Sequence, residues 1–248
     1  MTALSPRRSF SGTALKTIAC ITMLVDHIGA SCIEAGILTA RAGHRHPLAG
    51  HPFHLSAVPA GHGAAVHRAA GLSHLLLPAG GGLCTYPRCE KYVRRLFLFA
   101  LISEVPFDLA FFCTPFALDH QNVYWTLALG VLAMAGLKHF EKPDGSASWK
   151  GLLCAAGCTL AALLACTDYN GIGVLIICAL YLTRGDRKRQ CIVGAVLFAW
   201  ELTAPLAFVL VWFYNGQRGA CSPLQKKAFY WFYPVHLSVL AAVTNLLL

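Results

Sequence analysis

Long apolar stretches separated by short basic clusters constrain the fold of this chain more than any other feature. Its 248 residues are 56% hydrophobic and only 12% charged, whereas soluble domains carry about 25% charged residues. Several stretches approach the roughly 20 apolar residues that a helix needs to cross the hydrocarbon core of a bilayer. We therefore predict an all-α, polytopic transmembrane helix bundle of about seven to nine spans.

The positions of the basic residues predict how these spans are oriented. The predicted spans are residues 14–37, 93–113, 122–140, 149–167, 171–183, 190–214 and 228–247. Cytoplasmic loops of membrane proteins collect Lys and Arg. The N-terminus and residues 84–95, 138–150 and 184–190 are therefore predicted to face the cytoplasm from the inner membrane. The net charge of +9 thus indicates membrane topology rather than nucleic-acid binding.

The stretch 190–214 leaves two topologies open. Basic residues Arg218, Lys226 and Lys227 predict a cytoplasmic location for the segment that follows it. A single span would instead put that segment outside the cell. A polar interruption at 200–205, which contains a Glu and a Pro, could break the stretch into two short legs.

Residues 38–89 have a composition unlike that of a span or an ordinary loop. They contain seven of the eleven His residues and no Asp or Glu. The orientation rule requires two crossings before 84–95, but only one clear span precedes it. Codons for 66–90 read one base later can spell an apolar helix. We therefore interpret 38–89 as a frame-shifted segment of one integral-membrane domain, 1–248; translated as given, the product could be inactive. The alternative is a His-rich loop outside the membrane, and we predict no metal site there.

The first span carries Lys16, Asp26 and His27 in the sequence LKTIACITMLVDHIGA, and two of them, Lys16 and His27, are considered first. Charge inside a bilayer is costly, so such residues indicate a functional site. Their spacing puts both on one helix face, about 16 Å apart along the axis. The cation could hold a long charged donor by its tail while the imidazole acts on its far end. His27 is the candidate general base; the alternatives are an interhelical hydrogen bond for His27 and a snorkelling role for Lys16.

Acidic residues in the first two spans are further candidates for catalysis. Asp26 points about 100° away from His27. It is expected to pair with a cation on a neighbouring helix or to orient a second group on the acceptor side. Glu104 and Asp108 lie one turn apart on either side of Pro106, where we expect the helix to break. They are candidates for catalysis or amine binding, and the alternative is a structural ion pair.

Other polar residues complete the set of candidates. Those for anion binding are Arg94, Arg95 and Arg218, and those for substrate or structural roles are Asn122, Thr126, Asp168, Asn215 and His236. Asn122 is expected to cap a helix that begins at Val123, and Asp168 to cap the helix near 171. The YNGQRG loop at 214–219 contains glycines that allow close approach of a ligand.

Four blocks in this order resemble the TraX family. They are LKTIACITMLVDHIGA (15–30), KYVRRLFLFALISEVPFDLAF (91–111), NVYWTLALG (122–130), and YNGQRG (214–219) followed by FYWFYPVHL (229–237). The resemblance covers most of the chain outside 38–89. It implies a membrane protein associated with N-terminal acetylation of conjugative pilin.

The first block is also similar to membrane acyltransferases that use a basic residue, ten intervening residues and a His. That similarity implies acyl transfer from acetyl-CoA, as donor substrate, to an amine or hydroxyl. The expected partners are the lipid bilayer, acyl-CoA and a pilin or another envelope acceptor. A transporter is one alternative, because intramembrane acids and broken helices also mark ion pathways. A non-enzymatic assembly factor that binds a pilin-like helix is the other.

Overall fold

The computed structural model describes residues 10–29, 86–112, 114–199, 204–217 and 219–247. The secondary-structure elements of these residues are all α-helices. In chain order they are α1 (Gly12–Ile28), α2 (Tyr86–Phe111), α3 (Val123–His139), α4 (Trp149–Leu164), α5 (Asn170–Leu182), α6 (Arg187–Leu197), α7 (Ala204–Trp212) and α8 (Pro223–Leu247). The all-α prediction is confirmed. No helix among the described residues has both the length and the apolarity needed to cross a bilayer.

Side-chain caps explain where several helices begin. Ser11 accepts from the Ala14 amide at the start of α1, and Ser148 accepts from the Gly151 amide at the start of α4. The Asn122 side chain accepts from the Tyr124 amide, so the predicted cap of α3 is confirmed. These oxygens each satisfy one amide that the first helical turn leaves without an intrahelical partner.

The predicted cap of α5 is wrong. The residue before this helix is Tyr169, which makes no side-chain capping bond. The chain turns sharply here, with positive φ at Cys166 and Asn170. The Asp168 carboxylate lies instead 3.3 Å from the His120 ring. A tertiary contact has replaced the local capping bond that the sequence favoured.

The expected break at Pro106 is also wrong, because α2 continues through this residue. A proline inside a helix removes one backbone hydrogen bond and costs about 3 kcal/mol. Buried residues on both sides of it, Ala100 and Phe107, hold α2 against its neighbours. Tertiary packing therefore offsets the local preference of proline.

The helices pack around two connected apolar cores. The first is centred on α5, and its buried residues extend from Ala19 of α1 to Val211 of α7. Gly130 of α3 lies so close to α5 that a Cβ at this position would be 2.2 Å from Cδ1 of Ile177. The second core joins α1, α2 and α8 through Met23, Phe107 and Leu237. Because α1 and α2 both contribute to the two cores, they link the last helix to the rest of the bundle.

The stretch 190–214 forms two short helices, as the alternative with a polar interruption at 200–205 predicted. Helices α6 and α7 pack against each other, with the Phe198 and Phe208 rings 5.9 Å apart. The chain then returns to the start of α1, where the Gly12 amide donates to the Gln217 carbonyl at 2.8 Å. The segment after α7 therefore lies at the end of the bundle where α1 begins.

Helices α1, α2 and α8 run in the same direction. Lys16 and His27 of α1 contact Phe229 and His236 of α8 in the same order along both helices. Phe99 in the middle of α2 stacks on Tyr230 of α8. Phe111 at the end of α2 meets the His27 ring edge to face, beside the contact of His27 with His236. Helices α1 and α2 therefore begin at the same end of the bundle. The interpretation of 38–89 stays a prediction, since only 86–89 lie within the described residues.

The end at which α1, α2 and α8 begin, here called the basic end, carries the described Lys and Arg residues. Lys138 and Arg184 both donate to Glu141 there, and these bonds hold the pKa of its carboxyl below the usual range. Arg187 donates to the Tyr214 carbonyl. In the described part of the chain, the opposite end has no Lys or Arg; it is called the distal end below.

Candidate functional site

Two histidines from the first and last helices contact each other directly. Nδ1 of His27 lies 2.7 Å from Nε2 of His236, and the two rings stack at a centroid distance of 5.0 Å. Nδ1 of His236 lies 2.7 Å from the Phe232 carbonyl oxygen one turn earlier in α8. His236 is only 7% exposed. The His27–His236 pair is therefore held by tertiary packing and by a backbone group.

Phe111 and Tyr233 surround the His27 ring. Both meet it edge to face, at centroid distances of 5.5 and 6.0 Å. Tyr233 also contacts the His236 ring. Aromatic rings prefer such edge-to-face contacts, which add about 0.5–1.5 kcal/mol each beyond the area they bury. They fix the orientation of the His27 ring.

Lys16 and His27 lie on the face of α1 that packs against α8. Nζ of Lys16 is 5.7 Å from the centroid of the Phe229 ring, and His27 contacts His236 two turns further along α8. A groove of about 190 Å³ runs between the two helices. It is lined by Thr17, Cys20, Ile21, Leu24, Ala228, Phe229 and Phe232. The groove thus lies between the Lys16 ammonium and the His27–His236 pair.

Glu104 joins α2 to α3 through a buried polar network. Its Oε2 accepts from the Asn122 side-chain amide and, at 2.8 Å, from Nε1 of Trp125. The fully buried Asn122 also donates to the Ala100 carbonyl at 2.8 Å. Oε1 of Glu104 is buried and has no hydrogen-bond partner among the described residues. One carboxylate oxygen is therefore satisfied by the fold, and the other is available to a ligand.

Asp108 and Asp168 lie near the distal end and, with Glu104, form the acid cluster. Asp108 is 2% exposed, and its Oδ2 accepts from the Ala117 amide at 2.9 Å. Its Oδ1 is buried and has no hydrogen-bond partner in the described part of the chain. Asp168 contacts His120 on the loop before α3. The buried Tyr233 contacts the rings of His27, His236 and Tyr124.

The remaining candidates have separate positions. Asp26 is buried beside His27, and Thr126 is buried on α3 against α5. Arg94 and Arg95 are exposed on α2. Asn215 accepts from the Gln217 amide at 2.8 Å and so shapes the YNGQRG loop, which packs on the start of α1.

Arg218 lies outside the described residues, so its predicted anion-binding role stays untested. Its neighbours Gly216 and Gly219 both have positive φ. A Cβ at Gly219 would lie 2.7 Å from Oγ of Ser11. Glycine is therefore required here for close contact with the start of α1 as well as for backbone conformation.

Sequence reasoning missed three residues of this site. His120 and Asp168 are 48 residues apart, and nothing in the local sequence relates them. Trp125 had a usable signal, because it follows Asn122 by three residues and so lies on the same helix face. Tyr233 lies three residues before His236, and it contacts both histidines.

Replacing Asn122 tests the polar network around Glu104. Asn122→Ala removes the α3 cap, worth about 1 kcal/mol. It also leaves the buried Ala100 and Glu104 oxygens short of a donor, which costs about 1–3 kcal/mol. We expect the free energy of unfolding to fall by about 2–4 kcal/mol. Ser148→Ala, which removes only the α4 cap, should cost about 1 kcal/mol. Equal losses for the two variants in equilibrium unfolding would contradict the network.

Comparison with known proteins identifies the family. No curated protein and no solved structure gives a significant match to the chain. A family model described as TraX protein matches residues 11–244. This match contains Lys16, His27, the acid cluster and His236, and it extends over nearly the whole chain. The chain therefore belongs to the TraX family.

Proposed function

We propose that this chain is an integral-membrane acyltransferase that moves an acetyl group from acetyl-CoA to an amine or hydroxyl. Membership of the TraX family suggests a role connected with conjugation and pilin. The acceptor that we favour is therefore the N-terminal amine of a pilin, and another envelope molecule is the alternative. The proposed reaction needs no metal.

The distribution of apolar and charged residues supports a location in the membrane. Large apolar side chains face outward on several helices, among them Val25, Leu101, Leu153, Leu164 and Val239. Soluble monomers rarely expose contiguous apolar patches of more than a few hundred Å². The described Lys and Arg residues gather at the basic end, as expected for the cytoplasmic side of a membrane protein. Lipid is the environment that fits both features.

The alignment of Lys16 and His27 on one face of α1 is the single observation that carries the proposal. Acetyl-CoA has phosphates at one end of a long flexible arm and the reactive thioester at the other. Lys16 near the basic end can bind a phosphate, and the imidazole lies about 16 Å further along the helix axis. The groove between α1 and α8 lies between these two positions, and we propose that it holds the arm of the donor. Donor entry from the cytoplasm follows from the same arrangement.

The proposed chemistry uses His27 as a general base. The acceptor nitrogen or oxygen attacks the thioester carbonyl carbon and forms a C–N or C–O bond. The His27 ring takes the proton that the acceptor loses. The C–S bond then breaks, and the CoA thiolate receives that proton from the imidazolium. The neutral imidazole is restored, and the products are the acetylated acceptor and free CoA.

The two unsatisfied oxygens of the acid cluster favour an acceptor that binds as an ammonium ion. Oε1 of Glu104 and Oδ1 of Asp108 are buried without a hydrogen-bond partner among the described residues. Buried carboxylate oxygens are costly unless a cation or donor satisfies them. An ammonium group supplies three donors and a positive charge. Transfer of one ammonium proton to a carboxylate of the acid cluster would leave a neutral, nucleophilic amine, and that carboxyl would release the proton after the reaction. The proton that the amine loses during attack is the one that His27 takes.

Reporter fusions test the proposed orientation in a bacterial inner membrane. Green fluorescent protein fused after Asp144, in the loop between α3 and α4, should fluoresce, whereas alkaline phosphatase fused there should be inactive. Fusions after Leu247, at the end of α8, should give the opposite pair of signals. The physical reason is the excess of Lys and Arg at the basic end. Equal signals at both positions, or release of the chain from membranes by alkaline wash, would contradict the proposal.

Replacing His27 tests the enzyme activity. We expect His27→Ala to lower the rate of acetyl transfer from labelled acetyl-CoA to a pilin N-terminal peptide by about 10²–10⁴-fold, because this is the usual contribution of a general base. The matched control is His139→Ala, which removes an exposed histidine at the end of α3 and should keep the wild-type rate. The assay uses purified full-length protein in lipid nanodiscs, with mass spectrometry of the peptide.

Three results would contradict this proposal. Retained turnover in His27→Ala would remove His27 from the mechanism. Tight binding of the peptide without any change in its mass would favour the assembly factor. Solute flux in proteoliposomes without dependence on acyl-CoA would favour the transporter.

A further inference from the structure

We infer that His236 is a positioning residue that fixes the tautomer of His27, with the proton on Nδ1 and the lone pair on Nε2. Each of the two rings holds one proton at a defined nitrogen, and the importance of this arrangement for catalysis rests on the proposed function. It is carried by the two hydrogen bonds that His236 makes through its two ring nitrogens, to Phe232 and to His27.

The first step concerns the bond between His236 and the backbone. Nδ1 of His236 lies 2.7 Å from the Phe232 carbonyl oxygen. A carbonyl oxygen can only accept a hydrogen bond. Nδ1 of His236 must therefore carry a proton. In a neutral imidazole only one ring nitrogen is protonated, so Nε2 of His236 then holds the lone pair.

The second step concerns the charge of His236. The ring is 7% exposed and packs against Phe232, Tyr233 and His27. Within the described residues no carboxylate contacts this ring. Burial without a counter-ion disfavours the charged form of an imidazole. His236 is therefore neutral, and its Nε2 is a hydrogen-bond acceptor.

Because Nε2 of His236 is an acceptor, it determines which nitrogen of His27 carries the proton. Nδ1 of His27 is 2.7 Å from Nε2 of His236, and two lone pairs cannot make a hydrogen bond at this distance. Nδ1 of His27 must therefore donate. In the neutral ring the lone pair then lies on Nε2, so this atom is the one that can accept a proton from an acceptor substrate.

The same bond would stabilise the charged intermediate of the reaction. When Nε2 of His27 accepts a proton, Nδ1–H becomes a stronger donor to the His236 lone pair. His236 keeps its own proton on Nδ1, because the Phe232 carbonyl still accepts it. No proton moves between the two rings. His236 thus orients His27 and supports its positive charge without contacting the substrate.

Nitrogen NMR of full-length protein with ¹⁵N-labelled histidine, in lipid nanodiscs, reads this tautomer directly. The His27 resonances are assigned by their loss in His27→Ala. In the wild type we expect a protonated Nδ1 and an unprotonated Nε2 on His27. A protonated Nε2 with an unprotonated Nδ1 in the wild type would overturn the inference, whatever the activity of the protein.

Two variants of His236 separate positioning from packing. A Gln at 236 can extend an amide oxygen to the site of Nε2 and accept from His27, whereas the shorter Asn cannot reach it. His236→Gln should keep the Nδ1–H tautomer of His27 and stay within about threefold of the wild-type kcat. His236→Asn should give mixed tautomers and at least a tenfold lower kcat, since a wrong tautomer in the Ser-His-Asp triad costs about 10⁴-fold. The KM for acetyl-CoA should change little in either variant.

The outcomes distinguish the two proposals. If the tautomer changes as expected but acetyl transfer is absent even in the wild type, the positioning inference stands and the proposed function fails. If His236→Asn leaves the His27 tautomer unchanged, the inference is overturned even when the enzyme is active. If Gln and Asn reduce kcat equally while both keep the wild-type tautomer, packing explains the effect and the inference is also overturned.

Discussion

Packing of the first helix against the last is the interaction on which the rest of the site depends. Helix α1 brings Lys16 and His27 to one face, and α8 receives them at Phe229 and His236. Because the two helices are parallel, the groove between them leads from the basic end towards the His27–His236 pair. Rotation of α1 by a quarter turn would break both contacts together. The chemistry proposed for this protein is therefore a property of one helix interface.

The second constraint is the cost of carboxylates inside an apolar bundle. Asn122 and Trp125 satisfy one oxygen of Glu104. The Ala117 amide satisfies one oxygen of Asp108. The remaining oxygens stay buried without a described partner, which costs about 1–3 kcal/mol per group. A cation bound beside these two acids would satisfy both oxygens and recover this free energy. On the other side of the site, Tyr233 contacts the rings of both histidines.

The sequence predicted those features that depend on residues close together in the chain, such as helix caps and the faces of a helix. Asn122 before an apolar run gave the α3 cap, and the spacing of Lys16 and His27 gave their common face. Contacts between distant segments could not be predicted in this way. The pair of His120 and Asp168 replaced an expected cap, and buried packing carried α2 through Pro106. The break between α6 and α7 had a visible cause at 200–205, but only the return of the chain to Gly12 decided it.

A structure of the protein with a non-hydrolysable acetyl-CoA analogue, in which a methylene group replaces the thioester sulfur, tests the central claim most directly. We predict a phosphate within hydrogen-bond distance of Lys16 Nζ, the pantetheine arm in the groove between α1 and α8, and space for an acceptor atom about 3–3.5 Å from the analogue's carbonyl carbon and within about 3.2 Å of His27 Nε2. An analogue bound with its phosphates at the distal end, or with its carbonyl remote from His27, would contradict the account.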